Sequence, residues 1–151
     1  MLTEFIKAND LSAKVFECNG QVKTSAQAAE QAETHSSKVI VKSILLINSE
    51  QEPILIILLG KDKIDFEKIK KITTVKDVRL ADPTEVLEMT GYEVGGVPPI
   101  SIYGIKTLID EEVVKKKKII CGGGDSNHLM KIEVQEILDN VDEIRIEDIK
   151  K

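Results

Sequence analysis

The sequence predicts one domain of the α/β (α+β) class, with helices packed on a mixed β-sheet. Three observations carry that expectation. With 151 residues, the chain is long enough to bury a real core. Aromatic residues make up only 3% and Trp is absent, so the core must come from Ile, Leu and Val, which favour strands packed on helices. Apolar runs of strand length also alternate with segments that carry helix spacing and capping residues.

Leu2, Phe5 and Ile6 share one helical face, which predicts a short helix over 2–9. A brief strand follows over 14–17. Thr24-Ser25-Ala26-Gln27 has the form of a capping box and opens an Ala-rich helix over 25–33. Residues 38–48 read as a strand, and polar residues 49–52 as a turn. Residues 53–59 are apolar on both faces, as in a central strand, and pair with 38–48 as a hairpin. Ile64, Phe66, Ile69 and Ile72 mark the inner face of a helix over 62–73. A strand over 78–80 leads to Asp82-Pro83, a cap followed by proline at the first helical position. That helix should stop near Gly91. One helical turn is expected over 110–114, then strands over 118–121 and 128–132, a helix over 133–141 and a last strand over 143–146.

The net charge of −5 argues against a broad nonspecific nucleic-acid surface, so RNA contact has to come from a local patch. Cys18 and Cys121 form no disulfide framework, and with only His35 and His128 no metal-ligand spacing exists. No metal and no cofactor are expected. The opening residues carry an early acid and no signal-type apolar run, and 53–59 is too short to span a membrane. A cytoplasmic protein with no membrane partner is the expectation; the oligomeric state is not encoded legibly.

Lys42 is the most informative residue. In a strand it shares a face with Ile40, Ile44 and Leu46. An ammonium there needs an anionic or carbonyl partner, or a lowered pKa. Two readings stand: a functional lysine, or one that snorkels from a sheet edge. Gly95-Gly96-Val97-Pro98-Pro99 is a second candidate. Its glycines bare the backbone to a ligand and its prolines stiffen the loop, although a plain structural turn has the same composition. Gly122-Gly123-Gly124 follows a strand, as a ligand-approaching loop does, but lacks the Lys-Ser/Thr of a phosphate-binding loop. His128 has no nucleophile at recognisable spacing. Cys121 beside the glycines could be exposed, without signs of activation. The run from Lys115 to Lys118 suits phosphate contact or a solvated face.

These segments resemble the YbaK-like family, related to the editing domain inserted in bacterial prolyl-tRNA synthetases. The resemblance rests on Lys23-Thr24-Ser25-Ala26-Gln27-Ala28-Ala29, Ile40-Val41-Lys42-Ser43-Ile44-Leu45, Glu85-Val86-Leu87-Glu88-Met89-Thr90-Gly91-Tyr92, Gly95-Gly96-Val97-Pro98-Pro99 and the triple glycine, in the family's order. It implies metal-free deacylation of mischarged tRNA by a mixed-sheet domain. The family's essential lysine falls on Lys42 and its Gly-x-x-x-Pro loop on Gly95 to Pro99. It further implies that Lys42 anchors the acylated end, that loop backbone at Gly96 places the ester, and that the terminal ribose hydroxyl assists. Ser43, Gly95, Val97, Pro98, Pro99, Gly122, Gly123 and Gly124 are the expected substrate-binding positions. Subgroups that clear alanine from proline tRNA tend to place Asn after the lysine, where this chain has Ser43. The expected partner is a mischarged aminoacyl-tRNA, contacted at its terminal adenosine and amino acid, with an aminoacyl-tRNA synthetase as a further candidate. A non-catalytic tRNA- or synthetase-binding module of the same fold, and a small phosphate binder built on the triple glycine, are the rival readings.

Overall fold

The computed structural model describes residues 1–18 and 39–151. The expected capping box at Thr24, the helix over 25–33 and the first residue of the strand over 38–48 lie outside the described residues. The element order is α1 (Leu2–Ala8), β1 (Lys14–Glu17), β2 (Val41–Asn48), β3 (Pro53–Leu59), α2 (Phe66–Thr73), β4 (Val78–Leu80), α3 (Pro83–Thr90), β5 (Lys106–Asp110), α4 (Glu111–Val114), β6 (Lys118–Gly122), β7 (His128–Glu133), α5 (Val134–Asn140) and β8 (Ile144–Glu147).

Two sheets form. The larger is mixed, in the order β4-β2-β3-β5-β8; the smaller is β1-β7-β6. β2 runs antiparallel to β3 and β4, while β3, β5 and β8 are parallel. As its apolar sequence predicts, β3 is central and buried from Ile54 to Leu59. The sequence leads one to expect a mixed sheet, and the larger sheet is mixed; a smaller antiparallel sheet stands beside it because one edge of β2 is shared. Ile40, just before β2, makes a parallel bridge to Ile120 of β6, and from Leu46 the same edge pairs with β4.

Strand parity sorts the core. Val41, Leu45 and Ile47 of β2 join Leu55, Ile57 and Leu59 of β3 in one cluster, with Ile119, Cys121, Met130 and Ile132 of the small sheet. Leu46, Ile54, Ile56 and Leu58 face the other way, against Ile64, Ile69 and Val78. That second face is covered by α2, which begins at Phe66 rather than at residue 62. Asp65 caps it, accepting from the amides of Glu67 and Lys68 at 3.0 and 3.2 Å. Ile64 stays outside the helix because it bridges Lys150. α3 starts as expected: Asp82 and Glu85 form a reciprocal capping box, and Gly91 ends it in the left-handed conformation at φ 80°.

β5 is not foreseen in the sequence. Its apolar pair Leu108-Ile109 is flanked by polar Lys106, Thr107 and Asp110, which hides a strand buried on both sides. Asp110 is fully buried, yet satisfied. It accepts from the amides of Glu112 and Ile149, each at 3.0 Å, and pairs with the Lys150 ammonium at 3.1 Å. Among the described residues no helix is long and apolar enough to cross a membrane.

Candidate functional site

Ile40, two residues before Lys42, bridges Ile120, two residues before Gly122. The structure packs the 95–99 loop on the 122–124 turn and fixes Lys42 separately, in the turn that follows β3. Lys42 is half-buried. Its ammonium donates to the carbonyls of Gly60 at 3.2 Å and Asp62 at 2.5 Å, in the turn that follows β3. Burial pulls its pKa below the usual lysine value; Asp62 partly opposes the shift and Lys63 adds to it. An ammonium has three donors, and two of them meet carbonyls among the described residues. Ser43 has the opposite parity and shares the face of Val41 and Leu45. Its Oγ is buried without a hydrogen-bond partner among the described residues.

The 95–99 loop leaves α3 and docks on the 122–124 turn. Gly95 is exposed with φ 91°, whereas Gly96, Val97, Pro98 and Pro99 are buried. The amide of Gly124 donates to the Gly96 carbonyl at 2.8 Å. A Cβ on Gly96 would run into the main chain of Asp125, and one on Gly122 into the Val97 carbonyl. A Cβ on Gly123 would lie 2.7 Å from main-chain atoms of His128 and Leu129. Three glycines of the site therefore serve backbone-to-backbone packing within the protein. Gly124, at φ 107°, needs glycine for its conformation instead. The base of the loop is stapled where the buried Tyr92 hydroxyl bonds Ser101 Oγ at 2.8 Å. Ser101 itself adopts φ 66°, a sparsely populated region for a residue with a side chain.

Two further residues join the site unassigned by the sequence. Asp125 Oδ1 lies 2.7 Å from His128 Nδ1 and accepts the Asn127 amide at 2.8 Å. The imidazole contact, first, holds the Asp125 carboxyl below its ordinary range. With Nδ1 on the carboxylate, the other ring nitrogen, Nε2, is left as the acceptor of the neutral ring. The signal that could have found the pair is Asp-x-x-His spanning a tight turn between two strands. Cys121, whose place beside the glycines left exposure open, is buried with its thiol towards the Met130 carbonyl, and burial pushes the thiol far up. Among the described residues no group of three or more His, Cys, Asp or Glu could hold a metal ion.

The model of the aminoacyl-tRNA editing domain matches residues 19–139. The proline–tRNA ligase of Halalkalibacterium halodurans is 35% identical over 108 residues, which are 72% of this chain and 19% of that enzyme. This chain thus spans about a fifth of the length of that relative. Among solved structures, the hypothetical protein APE2540 superposes with a TM-score of 0.89 at 28% identity, covering 99% of both chains. A protein proposed as a trans-editing enzyme for prolyl tRNA synthetase superposes with a TM-score of 0.79 at 26% identity, over 92% of this chain and 87% of that one. Sequence and fold agree across most of the chain, and the protein belongs to the aminoacyl-tRNA editing domain family.

Proposed function

We propose that the chain is a trans-editing aminoacyl-tRNA deacylase that hydrolyses the ester of a mischarged tRNA, with a small amino acid on proline tRNA as the substrate. The observation that carries this reading is the half-buried Lys42 ammonium held on two carbonyls, two residues after the bridge that joins β2 to β6, in a chain of the editing-domain family. Lys42 Nζ is fixed by two carbonyls and directs its charge at the 5′-phosphate of the acylated terminal nucleotide. A tethered, charged ammonium suits an electrostatic anchor better than a nucleophile, which needs a free lone pair.

In the reaction, water adds to the ester carbonyl, the carbonyl carbon parts from the ribose oxygen, and a proton returns to that oxygen. The loop backbone orients the ester, and the neighbouring ribose hydroxyl assists in moving the proton. The buried Ser43 hydroxyl supplies a polar group to the amino-acid side of the pocket. Size exclusion of the correct amino acid is feasible because one methylene in a pocket is worth about 1–3 kcal/mol. No step in this scheme calls on a metal.

Deacylation of a panel of mischarged proline tRNAs by the wild type and Lys42→Ala tests the proposal. Hydrolysis of at least one small aminoacyl ester, lost in the variant, is expected. Tight binding of the panel without any turnover would favour the non-catalytic binding module.

A further inference from the structure

We propose that the outer face of the small sheet is an RNA-docking surface that holds acceptor-stem phosphates through Lys14, Lys118 and Lys131. This rests on the deacylase reading for the identity of the RNA. Lys14 and Lys131 are direct cross-strand partners, and Lys131 is also opposite Ile120. Lys118 is opposite Glu133. Cross-strand partners project from the same face, so all three lysines stand on one side of β1-β7-β6. They line a groove of about 340 Å³ together with Ser12, Ile132 and Glu133. Its formal charge is positive, three ammonium groups against one carboxylate.

One feature separates this groove from an ordinary solvated face. Like charges directly opposite each other destabilise a sheet, yet Lys14 and Lys131 occupy such a pair. A bound anion would relieve that repulsion. In a chain of net charge −5, three lysines against one carboxylate make a local positive patch.

The groove is also in the right place. β6 runs from Lys118 to Gly122, with Lys118 at one end, Lys131 opposite Ile120 and the 122–124 turn at the other end. Two to four steps at ~3.3 Å span ~7–13 Å. At ~3.4 Å per nucleotide along a strand, that is about two to four nucleotides back from an acylated adenosine held at the turn. Lysines make point-charge contacts to phosphate, which position an RNA without reading its sequence.

The test compares K14E/K118E/K131E with a charge-matched control, K7E/K71E/K76E, placed on other exposed lysines. A milder triple, K14Q/K118Q/K131Q, is used alongside, and thermal melting checks that each folds. Anisotropy with uncharged proline tRNA is measured over a salt series. Hydrolysis is measured on mischarged tRNA and on a 3′-aminoacyl-adenosine that lacks any stem. The groove variants should bind tRNA at least tenfold more weakly than the control. Their log-affinity against log-salt slope should shrink by two to three, at about 0.9 per duplex phosphate contact. KM for the tRNA should rise while hydrolysis of the stemless ester stays unchanged. Equal losses in groove and control variants, wild-type binding by the groove variants, or no tRNA binding by the wild type at low salt would each overturn the proposal. If the wild type cleaves neither ester, the deacylase reading fails, and the binding series still judges the groove.

Discussion

Lys42 has its ammonium on the carbonyls of Gly60 and Asp62. Its alternation with Ile40, Ile44 and Leu46 is legible in the sequence; its carbonyl partners are not, because they lie 18 and 20 residues away in a turn. Replacing it with alanine removes charge without opening the core, so Lys42→Ala should cut deacylation by at least ~100-fold, about 2.7 kcal/mol of transition-state stabilisation. Its melting temperature should stay within a few degrees of wild type; equal turnover in the two proteins would refute the anchor role. The pKa shift has a sign that can be checked. Burial first, then Lys63, favour the neutral amine, and Asp62 opposes them. The anchor is charged below its lowered pKa and is lost as pH rises through it, at a lower pH than for an ordinary lysine. Binding of a non-hydrolysable 3′-aminoacylamido analogue of adenosine 5′-monophosphate should therefore fall on the alkaline side below pH 10.5, with a flat profile in Lys42→Ala. Over the same interval the unfolded chain binds more protons, so fold stability should rise with pH.

At the scale of elements, the 95–99 loop and the 122–124 turn act as one unit joined by main chain. The sequence shows two glycine clusters but not that they face each other, since 26 residues separate Gly96 from Gly122. Gly96→Val forces a side chain into the Asp125 backbone. It should lower both turnover and melting temperature, whereas Tyr103→Phe, at a side chain 73% exposed, should change neither. A valine variant with full activity would show that the docking of loop on turn is dispensable. α3 is the opposite case, where local sequence suffices: Asp82, Pro83, Glu85 and Gly91 specify its start and stop. Asp82→Ala should cost about 1 kcal/mol in urea unfolding. Glu85, bonded to Arg79 and pulled down to about 2, contributes in full above its unfolded value of 4.5, and the contribution is lost as pH falls from there through about 2. β5 remained hidden because a strand in which Thr107 and Asp110 are buried breaks the apolar run by which strands are recognised.

Across the whole molecule, the α+β class, the central β3 and the β2–β3 hairpin follow from local periodicity. The division into two sheets does not. It depends on long-range partners, such as Lys14 with Lys131 and Ile40 with Ile120, which no window of a dozen residues contains. The charge balance leads to a measurable expectation: with net charge −5 and a groove of only three lysines, tRNA affinity should show a shallow salt dependence. A slope steeper than about four would point to a far larger RNA-binding face. The reaction scheme uses an ammonium, main-chain groups and a ribose hydroxyl. Dialysis against a chelator should then leave the rate unchanged once the magnesium that folds the tRNA is restored. A specific requirement for zinc would overturn the scheme.

The pairing of β1 with β7 also sets an order of assembly. β2 and β3 meet across a turn of a few residues, so the hairpin can form as soon as both have left the ribosome. β1 is made earlier than either, yet Lys14 must wait for Lys131. Until then its backbone is an unpaired edge, a template for pairing with other chains. The strand turn that carries Gly122 to His128 is produced in the same late interval. A nascent chain truncated before β7 should thus hold a formed hairpin but no assembled site, and should be the aggregation-prone species during synthesis.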